Sequence, residues 1–418
     1  MRVLYTVLFY LLLPFVFIRL LWRSRNLPGY RKNWVERLGY TPHVLEQSIW
    51  IHAVSVGETI AAIPLIKAIQ NAYPTTSIIV TNMTPTGAAR VKAAFGDKIL
   101  QSFVPYDIPA FLNRFIKRIK PKILIIMETE LWPNLFATCL EHQIPIIVTN
   151  ARLSEKSACG YARIPFINRD IFKAMHRLAA QTNADAERFE HLGLPREKIV
   201  VTGNLKFDLE IADDLFLKSE KLRDDLGRDR LIWIAASTHQ GEEEIMLQAH
   251  RLILEKYPTA LLMLVPRHPN RFAEVKSLVS QKFSVACRSD NSPVNADVQV
   301  FLGDSMGEMM LFYAATDVAL VGGSFVGVGG HNMLEPAVLH KPILTGPIVF
   351  NFTEVSQLLL QANGMLMVKN AEEIAHEIMK LFADESLRSR LGENAYNVVA
   401  ANRGALDRQV TLVKQVLN

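Results

Sequence analysis

The sequence predicts an α/β protein with two doubly wound, parallel-sheet domains that follow an N-terminal membrane helix. The chain has 418 residues, roughly two to three times the size of a typical domain, so two hydrophobic cores are expected. Short apolar runs rich in β-branched residues alternate with amphipathic helical stretches, which is typical of parallel sheets covered by helices on both faces. An almost wholly apolar run opens the chain.

The overall composition excludes several classes of protein. Half of the residues are hydrophobic and 21% are charged, which excludes a disordered or fibrous chain. The net charge of +5 favours anionic surfaces but is too small to indicate a nucleic acid partner. Cys139, Cys159 and Cys287 lack the spacing of metal ligands, so neither a disulfide framework nor a zinc site is indicated and a reducing compartment is expected.

The N-terminal run, residues 3–22, is close to the roughly 20 residues that span a bilayer as a helix. Arg19 interrupts its end and no small-residue cleavage site follows, so we expect a retained anchor at 1–22 rather than a cleaved signal. A basic flank follows the run and consists of Arg23, Arg25, Arg31, Lys32 and Arg37. The positive-inside rule then places the rest of the chain in the cytoplasm. A helix lying in one leaflet, which Pro14 and Arg19 favour, and a buried core helix are the alternatives.

After the anchor, we expect an N-terminal domain at 23–207 and a C-terminal domain at 208–418, with a charged linker at about 207–230. Strands are predicted at 49–54, 77–81, 122–127, 144–149, 178–181 and 199–202 in the first domain, and at 231–237, 261–265, 284–286, 298–301, 318–321, 342–344 and 365–368 in the second. The stretch 387–418 is predicted to be helical with a break near Gly404, and it could cross back to the first domain. Facing domains of this kind bind ligands in the intervening cleft, beyond the carboxyl ends of the strands.

Three acidic residues and one lysine follow predicted strands of the first domain. Glu58 begins a helix, where it is either placed to take a proton from an acceptor hydroxyl or is an ordinary first-turn acid that the helix dipole favours. Glu128 and Glu130 are two residues apart at a strand end, so strand alternation predicts that both face the same side. They otherwise cap the next helix or pair with Arg152 or Lys206. Lys206 follows another strand, where a cation can hold an anionic substrate.

In the second domain, Arg267 and His268 directly follow an apolar strand, and a guanidinium group suits phosphate or carboxylate. Gly307 and Glu308 stand at a predicted helix start further along. These positions make the second domain the candidate for binding an anionic ligand.

A glycine-rich segment at 322–336 precedes a helix that is predicted to carry Asn332 and Glu335. Glycine lets the backbone approach an anion, and a helix N-terminus offers N–H groups to a phosphate. Glu335 could accept hydrogen bonds from ribose hydroxyls. The pattern is neither a Walker A loop nor a G-x-G-x-x-G motif opening its domain, so it favours a nucleotide-sugar donor over kinase or dehydrogenase chemistry. Two such domains suggest the GT-B architecture, which glycogen phosphorylases and sugar-nucleotide epimerases share with glycosyltransferases.

Eight motifs combine these positions: HAVSVGE (52–58), TNMTPTG (81–87), METELWPN (127–134), NARLS (150–154), TGNLKFD (202–208), PRHPNRF (266–272), GDSMGEM (303–309) and GGSFVGVGGHNMLEP (322–336). In order, and over nearly the whole chain including the anchor, they resemble the Kdo transferases of Gram-negative lipopolysaccharide biosynthesis, where Kdo is 3-deoxy-D-manno-octulosonic acid. The resemblance implies an inverting GT-B glycosyltransferase that moves Kdo from CMP-Kdo to the lipid A precursor (lipid IVA) at the cytoplasmic face of the bacterial inner membrane.

The same resemblance implies roles for individual residues. It makes Glu58 the proton acceptor and makes Glu128 and Lys206 the groups that stabilise the transition state. It places around CMP the residues Arg267, His268, Met306, Gly307, Glu308, Asn332, Met333, Leu334 and Glu335. Glu130 is expected behind the site, and His331 near the phosphate. The sequence has no Asp-x-Asp cluster, so no metal or other cofactor is expected.

Two other classes of function remain open at this stage. One is another nucleotide-sugar enzyme, such as a lipid-linked N-acetylglucosaminyltransferase or an epimerase, which competition by CMP against UDP would separate. The other is a membrane-tethered nucleotide-binding module without catalysis. Loss of activity in Glu58→Ala with donor binding intact would argue against that module.

Overall fold

The computed structural model describes residues 2–25, 28–31, 33–291 and 294–417. Lys32, predicted as part of the basic flank, lies outside the described residues. The chain divides into two compact units. Unit 1 comprises Met1–Asp208 and Arg403–Asn418, and unit 2 comprises Leu209–Asn402.

Unit 1 is built on a seven-stranded parallel sheet with the strand order β3-β2-β1-β4-β5-β6-β7. Its strands are β1 (Ser48–His52), β2 (Ser77–Asn82), β3 (Leu100–Phe103), β4 (Pro121–Met127), β5 (Ile146–Ala151), β6 (Met175–Ala180) and β7 (Ile199–Val201). Strand β3 was not predicted, because it is a short edge strand and its sequence LQSF has no continuous apolar run.

Helices cover both faces of this sheet. They are α1 (Arg2–Arg23), α2 (Val56–Ala72), α3 (Pro85–Phe95), α4 (Pro109–Ile119), α5 (Pro133–Glu141), α6 (Glu155–Ala162), α7 (Pro165–Ala174), α8 (Asn183–His191) and, from the end of the chain, α17 (Ala405–Leu417). Two hydrophobic cores result, one on each face, because the residues of a buried parallel strand alternate between the two faces.

Unit 2 repeats the architecture with the strand order β10-β11-β9-β8-β12-β13-β14, again all parallel. Its strands are β8 (Ile232–Thr238), β9 (Leu261–Pro266), β10 (Val285–Cys287), β11 (Val300–Leu302), β12 (Val318–Val321), β13 (Ile343–Thr345) and β14 (Met365–Met367). Its helices are α9 (Leu215–Leu226), α10 (Glu242–Lys256), α11 (Phe272–Ser280), α12 (Met309–Ala314), α13 (Leu334–Val338), α14 (Thr353–Gln361), α15 (Ala371–Ala383) and α16 (Glu385–Asn402). The two parallel sheets confirm the predicted fold class.

The stretch 207–230, predicted as a linker, holds helix α9 of unit 2. Leu222 and Leu226 of this helix are buried, and Arg223 Nη2 lies 3.0 Å from Asp317 Oδ2. The charge-rich sequence therefore belongs to a helix whose exposed face is polar, and much of the stretch is folded structure rather than a free connection.

Helix α1 packs along unit 1 through one face. Thr6 Oγ1 donates a hydrogen bond to Asn134 Oδ1 at 3.0 Å. The rings of Phe9 and Phe17 contact that of Tyr106, with centroids 6.4 and 6.0 Å apart. The other face is exposed and includes Leu4, Val7, Leu8, Leu11, Phe15, Ile18 and Trp22. Among the described residues, this helix alone is long and apolar enough to cross a membrane.

Arg37, which was predicted to belong to the exposed basic flank, is buried instead. This side chain is 1% exposed, and its Nη2 donates to the carbonyl oxygen of Met83 at 2.8 Å. Its guanidinium carbon lies 4.4 Å from the centre of the Phe103 ring. A cation buried in this way cannot contact lipid, so the flank is reduced, within the described residues, to the exposed Arg23, Arg25 and Arg31.

The C-terminal helix α17 belongs to unit 1. The carboxylate of Asp208 accepts hydrogen bonds from the backbone N–H groups of Gly404 and Leu406, both at 2.6 Å. Ala405, Leu412 and Val413 are buried in the core that includes strand β1. Asp208 thus caps the helix and fixes its start against unit 1.

Replacing Asp208 by alanine should loosen α17. Two backbone donors lose their acceptor, which costs about 1–2 kcal/mol in the local free energy of unfolding. We expect amide hydrogen exchange in 405–417 to become roughly 5 to 30 times faster, the equivalent of that energy. Asp213→Ala, at an exposed position nearby, is the control. Unchanged exchange in α17 would contradict this capping role.

Candidate functional site

Each sheet reverses its strand order beside its first strand. In unit 1 the reversal separates β1 from β4, and in unit 2 it separates β8 from β12. Ligands of doubly wound sheets bind in the crevice at this switch point, beyond the carboxyl ends of the strands. The segments that follow these four strands therefore define one candidate region in each unit.

Glu58 follows β1 and begins helix α2, where it completes a capping box with Ser55. Its two carboxylate oxygens accept hydrogen bonds from the backbone N–H groups of Val54 at 2.8 Å and Ser55 at 3.2 Å. The residue is 7% exposed, and burial raises the pKa of its carboxyl, with a smaller contribution from the charge of Glu128. The capping role and the predicted proton-accepting role therefore fall on the same side chain.

Glu128 and Glu130 follow β4, on the other side of the switch point. Strand alternation does not determine which way their side chains face, because β4 ends at Met127 and Glu128 has a left-handed backbone with φ of 57°. Trp132 Nε1 donates to Glu130 Oε2 at 2.7 Å. Burial, followed by the charges of Glu58 and Glu128, raises the pKa of Glu130 to about 7. The three carboxyl groups thus form one electrostatically coupled cluster.

Lys206 lies in a short 3₁₀ helix, Leu205–Phe207, that follows the edge strand β7. Asn150 Oδ1, at the end of β5, accepts a hydrogen bond from the N–H of Leu205 at 3.1 Å. Leu205 is buried in the same core as residues of α2. The chain after β7 therefore returns across the carboxyl edge of the sheet to the helix that carries Glu58.

In unit 2, three histidines meet near the switch point. His239 follows β8, His268 follows β9 and His331 follows the glycine-rich segment after β12. The His239 and His331 rings lie edge to edge and nearly parallel, with 8° between their planes, and their Nε2 atoms are 2.8 Å apart. The His268 ring centre lies 5.2 Å from that of His239. Arg267 is electrostatically coupled both to this group and to Glu335.

Several backbone N–H groups of the glycine-rich segment are bound within the protein. The buried carboxylate of Glu242 accepts hydrogen bonds from Gly323, Ser324 and Phe325 at 2.7 to 2.9 Å, and from the N–H of His239 at 2.9 Å. Gly323 has φ of 70°, and an added Cβ would lie 2.7 Å from the His331 ring. The loop is therefore bound to the β8–α10 turn and packed against His331.

The predicted helix after the glycines starts later than expected. Helix α13 begins at Leu334 and has five residues, so Asn332 precedes it, and Asn332 Oδ1 accepts from the N–H of Leu334 at 3.2 Å. Asn332 Nδ2 donates to Glu335 Oε1 at 3.1 Å, and burial raises the pKa of Glu335. Met333 and Leu334 are fully buried, so their side chains belong to the packed interior beside Asn332.

The remaining predicted residues lie beyond β11. Met306 is exposed and Gly307 has open space beside it and φ of 86°. Glu308 receives two hydrogen bonds from Arg288, at 3.0 and 2.7 Å, which hold the pKa of the Glu308 carboxyl below its usual range. Sequence reasoning placed Glu308 at the nucleotide but missed Arg288 as its partner.

Sequence reasoning also missed the turn after β8, which supplies His239 and Glu242. The next residue, Glu243, is fully buried and lies 2.6 Å from Arg271 Nη1. The available signal was the run STHQGEEE at 237–244, which directly follows a buried strand. Acids on a first helical turn are expected to be exposed, but Glu242 and Glu243 are buried. Acidic residues are rarely fully buried without a partner.

Comparisons with known proteins agree on one family. A family model described as 3-Deoxy-D-manno-octulosonic-acid transferase (kdotransferase) matches residues 32–209, and one described as Glycosyl transferases group 1 matches residues 229–398. The 3-deoxy-D-manno-octulosonic acid transferase of Haemophilus influenzae is 45% identical and covers 100% of this chain and 99% of its own length. The 3-deoxy-D-manno-octulosonic acid transferase of Bordetella pertussis is 33% identical, and the match covers 90% of this chain and 89% of the Bordetella protein.

Solved structures resemble the whole fold at low sequence identity. A UDP-GlcNAc 2-epimerase from Neisseria meningitidis has a TM-score of 0.56 and 16% identity, covering 88% of this chain and 100% of its own. The S. aureus MnaA–UDP structure has a TM-score of 0.54 and 17% identity, and the match covers 89% of this chain and 97% of the MnaA chain. These similarities show the two-domain fold. Because the Haemophilus protein matches over the full length, the chain belongs to the 3-deoxy-D-manno-octulosonic acid transferase family and is a GT-B glycosyltransferase that transfers Kdo.

Proposed function

We propose that this enzyme transfers Kdo from CMP-Kdo to a hydroxyl group of the lipid A precursor, lipid IVA, with inversion at the anomeric carbon. The observation that carries the proposal is the cluster of Glu58, Glu128 and Glu130 at the switch point of unit 1. Unit 1 supplies the chemistry on the acceptor, and unit 2 binds the donor. The acceptor oxygen attacks the anomeric carbon, its proton goes to Glu58, and CMP leaves from the opposite face.

The suitability of Glu58 as the base follows from its hydrogen bonds. An ionised carboxylate has about four acceptor sites. Two backbone N–H groups and the Ser55 side chain hydrogen-bond to the carboxyl of Glu58, and the remaining acceptor site can take a proton from a substrate hydroxyl. Glu242 occupies the corresponding place after β8, but it accepts four backbone hydrogen bonds and is saturated. Burial raises the pKa of Glu58, which brings a carboxyl group closer to the pH at which general bases work well.

The donor carries a phosphodiester and a carboxylate, so its binding requires cations and hydrogen-bond donors. We assign this role to Arg267, with His268 and His331 beside it and Glu335 accepting from the ribose. Positive charge next to the departing phosphate also stabilises the leaving group. In unit 1, Glu128 and Lys206 are assigned to stabilise the transition state. Met306, Gly307, Glu308 and the segment 332–334 are assigned to complete the proposed nucleotide site.

Glu58→Gln should reduce transfer of Kdo by roughly 10² to 10⁴ while leaving CMP binding intact. The base must be ionised, so wild-type kcat/KM should rise as the pH rises through the elevated pKa of Glu58, and this acid limb should disappear in the variant. Turnover of radiolabelled CMP-Kdo with lipid IVA measures both effects.

The matched control for this experiment is Glu187→Gln, an exposed carboxylate of unit 1. Glu130→Gln should retain much more activity than Glu58→Gln if Glu130 acts only through the effect of its charge on the neighbouring carboxyl groups. Near-normal turnover in Glu58→Gln, together with a loss of roughly 10² to 10⁴ in Glu130→Gln, would transfer the role of base to Glu130.

Arg267→Ala and Glu335→Gln should both weaken CMP binding. The first removes a charge-assisted bond to phosphate, and the second removes an anionic acceptor for ribose hydroxyls, so each should cost roughly 10-fold or more in Kd. Calorimetry with CMP measures the change, and UDP tests donor class. Arg251→Ala, an exposed arginine on α10, is the control. Unchanged affinity in both variants would place the nucleotide elsewhere.

We further propose that α1 holds the enzyme on the cytoplasmic face of the inner membrane by lying in one leaflet. The support comes from its two faces. Thr6 bonds to Asn134, and Tyr5 hydrogen-bonds to the buried carboxylate of Asp107, so one face is committed to unit 1. The exposed apolar face can enter lipid, and Arg23, Arg25 and Arg31 add attraction to anionic headgroups.

Cysteine labelling separates a helix that lies in the leaflet from one that crosses it. Wild-type Cys159 is exposed and should react with a membrane-impermeant maleimide only from the cytoplasmic side. Arg2 lies beside Glu141 of unit 1 and is 40% exposed, so Arg2→Cys in a Cys159→Ser background should react from that same side. Labelling of residue 2 from the opposite side would show that α1 spans the bilayer.

A further inference from the structure

The hydrogen-bonded pair of His239 and His331 can hold only a limited number of protons. With their Nε2 atoms 2.8 Å apart, one ring must donate N–H and the other must offer a lone pair. A further proton can be added to the Nδ1 atom of the donor ring without breaking this bond. A second added proton would set two N–H groups against each other. The bonded pair therefore exists with no net charge or with one positive charge.

The surroundings of the pair keep it neutral when no anion is bound. Burial lowers the pKa of His331 to about 4, with further lowering by His239, Arg267 and His268. Burial also lowers the pKa of His239, where Arg267, His268 and Arg271 act in the same direction and Glu242 opposes them. Glu242 is saturated by backbone donors, and Arg271 is paired with Glu243 and Glu274. Arg267 and His268 are thus the cationic or ionisable neighbours left to face a ligand.

The position of the pair agrees with a role in anion binding. The two residues follow β8 and β12, the strands that flank the switch point of unit 2. Three N–H groups of the glycine-rich loop are bound to Glu242, so those donors are not available to a phosphate. The imidazole N–H groups and Arg267 lie beside this loop and can donate to a phosphate in place of those three groups.

We propose that His239 and His331 act as one unit that binds the donor's phosphodiester and takes up a single proton from solvent as it does so. The inference rests on the proposed donor class. No bond is made or broken in the nucleotide at this step. The added proton resides on Nδ1 of one ring, and the positive charge is shared through the Nε2–H···Nε2 hydrogen bond. His239 is a positioning residue that acts through His331, since its own backbone N–H is fixed by Glu242.

The direction in which affinity for the phosphodiester changes with pH follows from the protonation of the pair. The free pair is neutral near pH 7, and a bound anion favours its protonated form, so the pKa of the pair rises on binding. Affinity for the phosphodiester should therefore increase as the pH falls. CMP itself is unsuitable as a probe, because its phosphate monoester has a second pKa near 6. Cytidine 5′-methyl phosphate stays a monoanion over this range and matches the donor's phosphodiester, whereas cytidine lacks the phosphate.

The test is calorimetry of the full-length enzyme in two buffers of different ionisation enthalpy at pH 6.5. Wild type should take up protons, no more than one per site, on binding cytidine 5′-methyl phosphate and none on binding cytidine. The double variant His239→Gln/His331→Gln keeps amide groups at the Nε2 positions but cannot be protonated, so it should take up none. His239→Ala alone should lower affinity for the phosphodiester by about tenfold and leave cytidine affinity unchanged.

The control is His376→Gln, an exposed histidine of α15, which should behave as wild type. Binding without proton uptake in wild type, or undiminished uptake in the double variant, overturns the inference while leaving the donor class intact. Equal losses for cytidine and its methyl phosphate in His239→Ala would show a merely structural role and also overturn it. Failure of wild type to bind either cytidine compound would instead overturn the proposed donor class, and the inference with it.

Discussion

The reversal of strand order in each sheet is the constraint on which both candidate regions depend. Adjacent parallel strands whose connections leave in opposite directions cannot both be covered by helices at their carboxyl ends, so a crevice stays open between them. In unit 1 this crevice lies between β1 and β4, and in unit 2 between β8 and β12. Three coupled carboxyl groups follow the first pair of strands, and a pair of hydrogen-bonded histidines follows the second.

Buried carboxylates then fix the backbone around each crevice. Glu58 and Glu242 both stand in the first turn of the helix after the first strand of a unit. Glu242 accepts four backbone hydrogen bonds and holds the glycine-rich loop, whereas Glu58 accepts two and keeps acceptor capacity. The same residue type at the same place therefore has its acceptor sites filled by backbone donors in one unit but not in the other, and the carboxylate that is not filled is the one we propose as the base.

Sequence patterns sufficed for the two parallel sheets, because buried parallel strands are continuous apolar runs that alternate with helices. They failed where the signal is not local. The short edge strand β3 has a mixed sequence, and α9 was mistaken for a linker because its exposed face dominates its composition. Arg37 was counted as a lipid contact although it is buried against Phe103. The motif residues were found by resemblance, but Glu242 and His239 depend on which strands become neighbours, and strand order is not readable from residue spacing.

The division of charge between the units underlies the proposed separation of donor and acceptor functions. Three carboxyl groups follow the switch-point strands of unit 1, where they would repel a dianionic sugar nucleotide. In unit 2 the buried acids of the turn after β8 are already bound, Glu242 to backbone and Glu243 to Arg271. Glu335 accepts one hydrogen bond, from Asn332, so it keeps acceptor sites for the ribose hydroxyls that we assign to it. The proposed anion site therefore depends on the neutralisation of Glu242 and Glu243.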